Sequence, residues 1–183
     1  MHGVRVRITR ERLALLTAVC AAFAVPTLLG FAWPNDEHSL AAITKAATAR
    51  YHNLDVAKAD GYTLLPDAAG ITCIDNQPVG GMGVHYAKGP LVQDPSIDPE
   101  HPEALVYAPN ADGKLKLAAL EYVVFKDAWD ATHSSPPSLF GREFDLTPFP
   151  NRFGLPAFYS LHAWVWEPNP DGLLQPWNPR VHC

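Results

Sequence analysis

The sequence predicts an α+β fold that is mainly β, a small curved antiparallel sheet or half-open barrel with one N-terminal helix and a proline-rich C-terminal strap. One segment has helical spacing of its apolar residues, and four short runs have strand character. Of the 18 prolines, 16 lie beyond residue 65, and proline interrupts helices. A length of 183 residues suits one domain, which we place at residues 36–183.

The predicted helix covers residues 37–59, which contain neither proline nor glycine. Asp36 or Ser39 can cap its start, and Gly61 follows its end. A modest stripe recurs every three or four residues and is expected to pack on the sheet: Leu40, Ile43, Ala47, Tyr51, Leu54 and Lys58.

The predicted strands lie in the runs 81–87, 103–109, 114–125 and 157–167. Asp112-Gly113 separates the second run from the third, as in a hairpin turn. Residues 117–125 are apolar on both alternations, which indicates a central strand. Residues 167–183 contain four prolines, including Pro168 and Pro179, and are expected to wrap the domain as an irregular strap.

Residues 1–35 have the pattern of a signal peptide or an N-terminal membrane anchor. Four arginines precede a stretch from Leu13 to Asn35 that carries no charge. Its apolar part, residues 13–33, is longer than a usual signal core and long enough to span a bilayer if it is not cleaved. Either alternative places the domain outside the cytoplasm, secreted or held at the outer face of the cytoplasmic membrane.

Charge argues against a nucleic-acid partner. The net charge is −5, and residues 36–183 carry 10 Lys and Arg against 18 Asp and Glu. Proteins that bind nucleic acid normally present a basic patch.

Cysteine content agrees with an oxidising compartment. Cys20 lies in the apolar N-terminal segment, which leaves Cys73 and Cys183 as an even pair in the exported part. We expect a disulfide between them that ties the C-terminus to the early part of the domain.

Three ionisable residues occupy mid-strand positions in apolar surroundings. Strand alternation places Glu121 on one face with Leu117, Ala119, Val123 and Phe125. A buried carboxylate needs a partner, and His85 and His162 occupy comparable positions in two other strands.

The most specific hypothesis is therefore a site for a divalent transition metal, zinc, copper or iron, held by His85, Glu121 and His162. Two histidines and one carboxylate leave coordination positions open, as in catalytic zinc and non-haem iron centres. His101 is a fourth candidate, although it lies in a loop. By alternation, Tyr86 and Tyr122 point to the opposite face.

Other interpretations stay open. A buried Glu–His pair can hold a core together through hydrogen bonds, and a histidine oriented by Glu121 can move protons without a metal. The segment GGMG at residues 80–83 lacks the helix and lysine of a phosphate loop, so it is expected to be a tight turn with close backbone packing.

A third possibility is a non-catalytic module that binds a small ligand or a partner. Aromatic residues concentrate in the second half of the chain, and the simplest interpretation is a hydrophobic core. Trp164 and Trp166 share the predicted face of His162 and are expected to wall the same cavity.

Five strings together resemble an uncharacterised family of exported bacterial proteins: ATARYHNLDVAKADGY (47–62), GGMGVHY (80–86), PEALVYAP (102–109), LAALEYVVF (117–125) and SLHAWVWEPNPDGLLQPWNP (160–179). The resemblance covers about residues 41–183 and implies export. It implies no activity. His85, Glu121 and His162 fall within the shared strings.

Overall fold

The computed structural model describes residues 37–183. The predicted signal peptide or anchor at residues 1–35, and the candidate cap Asp36, lie outside these residues. Within residues 37–183, no helix combines the length and apolar character needed to cross a membrane.

The N-terminal helical region is interrupted, so the prediction of one helix over 37–59 was wrong. Helix α1 (Glu37–Thr48) runs into a 3-10 turn (Ala49–His52), and α2 covers Leu54–Ala59. Asn53 adopts an extended conformation between them and accepts a hydrogen bond from the Asp55 amide at 3.0 Å. An asparagine that caps a new helix ends the one before it.

The buried helical stripe differs from the predicted one by one position over part of its length. Leu40 and Tyr51 are buried as expected, whereas Ile43 and Ala47 are only half-buried. Thr44 and Thr48 take their places, and each hydroxyl donates to a backbone carbonyl of the preceding turn. Such local bonds let threonine occupy a buried helical face.

The strands are β1 (Thr63–Leu64), β2 (Cys73–Asn76), β3 (Gly80–Ala87), β4 (Ala104–Pro109), β5 (Leu115–Phe125), β6 (Ser138–Leu139), β7 (Arg142–Glu143), β8 (Asp145–Thr147) and β9 (Phe158–Ala163). Short helices α3 (Gly89–Val92) and α4 (Lys126–Asp130) follow β3 and β5.

Seven of these strands form one antiparallel sheet in the order β1, β3, β4, β5, β9, β8, and β2 also pairs with β3. Strands β6 and β7 form a separate hairpin. The mainly β, α+β prediction is confirmed, and the sheet is open because its outer strands do not pair with each other among residues 37–183. The hairpin at Asp112-Gly113 is also confirmed, since Gly113 takes a φ of 74° between β4 and β5.

Strand β5 is the central strand that the sequence predicts, with residues 117–124 all buried. A β-bulge interrupts its alternation, because Val106 pairs with Ala119 and Tyr107 with Leu117, which leaves Ala118 as an extra residue. Leu117 therefore packs with Leu120 in the hydrophobic core that also contains Leu40 and Tyr51 of the helical region, the helix-side core. The prediction that Leu117 shares a face with Glu121 was wrong.

The final strand was predicted too long. Strand β9 ends at Ala163, after which the Trp164 amide donates to the Leu173 carbonyl and the Trp166 amide to the Ala118 carbonyl. The chain thus leaves the sheet and turns into the C-terminal strap.

The C-terminal strap, residues 167–183, is fastened to strand β3. Gly81 and Asn178 exchange two backbone hydrogen bonds of 3.0–3.1 Å. Residues 80–83 form the start of β3 and not the expected turn. A Cβ added at Gly81 would lie 2.8 Å from the Val181 carbonyl oxygen, so the close packing expected of this glycine segment is present. The predicted pair Cys73 and Cys183 is bonded, with a sequence separation of 110 residues.

A second buried carboxylate lies on the helix side of the sheet. Glu103, immediately before β4, is 2% exposed and accepts a hydrogen bond from the Val123 amide at 3.0 Å. The Glu103 carboxyl group thus provides a hydrogen-bond acceptor for an amide of β5 at a position where β4 has not yet begun. Burial raises the pKa of Glu103 to about 8, against the opposing effect of its backbone hydrogen bonds.

Removal of the disulfide should destabilise the domain. The Cys73→Ser/Cys183→Ser variant loses a cross-link around a long loop, and we expect its free energy of unfolding to fall by about 2–5 kcal/mol. Urea denaturation followed by tryptophan fluorescence measures the change. A reductant should destabilise the wild type and leave the variant unaffected, and equal effects on both would contradict the prediction.

Stability should also depend on pH through Glu103. The pKa of Glu103 is about 8 in the folded protein, against 4.5 for an ordinary glutamate, so the folded state favours the protonated form. The stabilisation that results is complete below pH 4.5 and is lost as the pH rises from 4.5 to 8. Glu103→Gln keeps an oxygen for the Val123 amide but cannot ionise. We expect the variant to exceed the wild type in free energy of unfolding by on the order of 2 kcal/mol near pH 8, and by little near pH 5.

Urea denaturation at both pH values tests this, because the histidines and the other carboxylates cancel in the difference. Glu100→Gln, at an exposed position in the loop before β4, is the control and should change neither value. A Glu103→Gln effect of the same size at both pH values would show that its origin is not ionisation.

Candidate metal centre

Sheet register places the three predicted ligands on one face. Glu121 on β5 lies directly opposite His162 on β9, and opposite Ala104 on β4. His85 comes from β3, where it pairs with Val106. The small Ala104 side chain between β3 and β5 leaves room for the His85 ring to reach across β4 toward Glu121.

The polar atoms of the three side chains converge. His85 Nε2 lies 3.4 Å from His162 Nε2 and 3.4 Å from Glu121 Oε2. Glu121 Oε1 lies 3.7 Å from His162 Nδ1. One ligand atom from each residue lies within 4.8 Å of the others, so the structure brings together the three residues proposed from the sequence.

Burial controls the protonation of this cluster. His85 is 1% exposed, His162 2% and Glu121 8%. Loss of water lowers the pKa of each imidazole to about 4, although the Glu121 charge partly opposes this for His85. Both histidines are therefore neutral at neutral pH, and their contacts with Glu121 are not ion pairs.

Burial has the reverse effect on the carboxyl group. It raises the pKa of Glu121, while the protonated form of His85 and a hydrogen bond from Ser160 act in the opposite direction. An ionised Glu121 has no charged imidazole beside it at neutral pH. A bound cation would offset its buried charge.

One nitrogen of the cluster has no regular partner. His85 Nδ1 is buried and makes no well-formed hydrogen bond within residues 37–183, although the Gly83 backbone interacts with the ring in the sense that raises its pKa. A histidine that binds a metal through Nε2 commonly directs its Nδ1–H at a backbone carbonyl or carboxylate. The Gly83 backbone is placed for that role.

The spacing of the ligand atoms suits a tetrahedral metal. Zinc–nitrogen bonds of about 2.0–2.1 Å place two tetrahedral ligands about 3.3 Å apart. The two distances of 3.4 Å from His85 Nε2 match this separation, and the three ligand atoms all lie within 4.8 Å of one another. Three protein ligands leave one position for water or another molecule.

A cavity of about 260 Å³ adjoins the cluster. Glu121 lines it, and Phe153 and Phe158 form part of its wall. The Phe153 ring also contacts His85, with ring centroids 6.3 Å apart. The cluster is thus closed by protein on one side and reached from the cavity at Glu121.

The two tryptophans expected beside His162 contact different parts of the protein. Trp164 is buried and stacks on His162, with ring centroids 6.2 Å apart and planes 18° apart. Trp166 instead packs on His52 and donates its indole N–H to the Thr48 hydroxyl. The prediction that both wall one cavity was wrong, because strand alternation stops with β9 at Ala163.

The other residues that the sequence singles out lie outside the cluster. His101 is exposed and bonds to Asp98 at 2.8 Å, so it does not join the cluster. Tyr86 and Tyr122 lie in the helix-side core, as predicted. Most of the concentrated aromatic residues are core, including Phe140 and Phe158, whereas Phe149 is 67% exposed.

Sequence reasoning missed the cavity wall. Leu65, Val92, Phe153 and Leu155 line it from segments between the main strands. These segments are short, rich in glycine or proline and without periodicity. The apolar residues within such segments were the available signal, but they do not indicate which strand face they cover.

Comparison of the chain with protein-family models, with curated proteins and with solved structures gave no match.

Proposed function

We propose that this is an exported protein of the bacterial cell envelope that binds one divalent transition metal ion through His85, Glu121 and His162. The observation that supports the metal site is the convergence of three buried ligand atoms, two of the contacts being 3.4 Å long. Export rests on the N-terminal pattern and is compatible with the Cys73–Cys183 bond.

The donor set favours zinc, copper or iron over magnesium or calcium. Imidazole nitrogens suit the first three metals, whereas the last two prefer oxygen ligands throughout. Two histidines and one carboxylate are the ligands of catalytic zinc sites and of non-haem iron centres. Bound metal would supply a positive charge and an exchangeable coordination position.

The alternative is a structural hydrogen-bond network in a module that binds a small ligand or a partner. The geometry fits this less well. A contact between two Nε2 atoms is a hydrogen bond only if one ring carries its proton there, and 3.4 Å is long for such a bond. If His85 is the ring that donates this proton, its Nδ1 is a buried acceptor without a donor among the described residues.

Elemental analysis of the purified protein, without a histidine tag and after incubation with zinc, tests the proposal. We expect close to one zinc ion per chain in the wild type and none in His85→Ala/His162→Ala. His101→Ala removes an exposed histidine outside the cluster and should bind zinc like the wild type. Far-UV circular dichroism checks that each variant is folded.

Zinc, copper and iron should be tried separately. Absence of all three metals from the wild type after incubation would refute the metal site. Zinc retained by the double variant would show that the ion binds elsewhere. If the double variant does not fold, Glu121→Gln provides the comparison.

Substitution of Glu121 should distinguish the metal site from the structural hydrogen-bond network. Metal-free Glu121→Gln is expected to be as stable as the wild type or more stable, because it removes a buried carboxylate while it keeps an oxygen acceptor. Zinc at about 100 times its dissociation constant should raise the wild-type free energy of unfolding by about 2.7 kcal/mol. The variant should gain much less.

Chemical denaturation with and without zinc measures both effects. A structural network predicts that zinc stabilises neither protein. It also predicts that Glu121→Ala costs roughly 1–3 kcal/mol, because buried donors lose their acceptor.

A further inference from the structure

The cavity beside Glu121 is a candidate ligand site in its own right. It occupies about 260 Å³ between the sheet face and the segments that follow β1, β3 and β8. Thr63, Gly89 and Gln93 are exposed at its rim, so it is open to solvent there. Ala87 and Ala104, neighbours in the strand pairing that continues to Glu121, form its small-residue floor.

The wall is apolar almost throughout. Besides Val92, six larger apolar side chains line it: Leu65, Val123, Phe125, Phe153, Leu155 and Phe158. Among the described lining residues, Glu121 is the sole ionisable side chain, and Thr63 and Gln93 are the other polar ones. The cavity therefore suits an apolar body and offers one strongly polar point, at the proposed metal ligand.

The volume limits the size of the ligand. A cavity of about 150 Å³ accepts benzene, which has six non-hydrogen atoms. By proportion, 260 Å³ accepts about ten non-hydrogen atoms. An eight-carbon carboxylic acid or a phenyl-substituted acetic acid has this size.

Charge determines the head group. Neutral imidazoles, one carboxylate and a divalent cation together carry a charge of +1, and the open coordination position attracts an anionic oxygen donor. Without the metal, the cavity offers such an anion no positive charge. No lysine, arginine or histidine among the described residues lines the cavity to replace the metal in this role.

We propose that the cavity binds small monocarboxylates with an apolar body of about seven or eight carbons, the carboxylate on the metal ion and the body against the phenylalanine wall. This inference rests on the proposed metal site. It adds the class of ligand and makes carboxylate binding conditional on the metal.

Isothermal titration of the full-length protein with octanoate tests the proposal, with the protein loaded with zinc and freed of excess zinc. We expect saturable binding to the zinc-loaded protein and at least tenfold weaker binding to the metal-free protein. Acetate, which lacks the apolar body, should bind the zinc form more weakly than octanoate by on the order of a hundredfold. The neutral probe 1-octanol should bind equally with and without zinc.

A cavity variant tests the location. Ala87→Leu adds bulk at a half-buried floor position outside the ligand set. It should keep the zinc stoichiometry of the wild type and lower octanoate affinity at least tenfold. Ala46→Leu, at an exposed position of α1, is the matched control and should change neither value.

The outcomes separate the two proposals. Zinc bound stoichiometrically, with no octanoate binding or with the same octanoate affinity in Ala87→Leu, overturns the ligand assignment and leaves the metal site standing. Equal octanoate affinity with and without zinc overturns the role of the metal in binding. Failure of the wild type to take up zinc overturns the metal site and the ligand proposal with it.

Discussion

The desolvation of Glu121 is the constraint on which this side of the sheet depends. A carboxylate in a central strand loses most of its water, and its ionised form then costs several kcal/mol unless neighbours compensate. His162 lies directly opposite it in the register, and His85 reaches it from β3. Both imidazoles are themselves neutral through burial, so they supply ligand atoms and no positive charge. The proposed metal ion would supply the positive charge that this arrangement lacks.

Glu103 shows that the same fold can bury a carboxyl group in another way. On the helix side of the sheet, Glu103 accepts a β5 amide and has a pKa raised to about 8, so at neutral pH it is mostly protonated. Burial raises that pKa most, and the charges of Asp98 and Glu121 raise it further. Glu121 instead lies among two imidazoles and an apolar cavity. The surroundings of Glu103 are sufficient for a structural role. Those of Glu121 have the donor set of a metal centre.

The C-terminal strap helps to keep the cluster dry. Its Val181 packs in the same apolar group as Trp164, and Trp164 stacks on His162. The Gly81–Asn178 bonds and the disulfide hold the strap on β3, the strand that also carries His85. The opposite side of the cluster remains open through the cavity. Enclosure on one side and access on the other are what a metal centre with an exchangeable position requires.

Period-two alternation placed Glu121, His85 and His162 on one face, and Tyr122 on the other, from the sequence alone, because the side-chain direction in a strand is a local property. Alternation failed for Leu117, where a bulge adds a residue, and for Trp166, beyond the last strand. Strand order, register and the cavity wall came only from the tertiary structure. They depend on contacts between residues far apart in the chain, and no local pattern specifies which residues will meet.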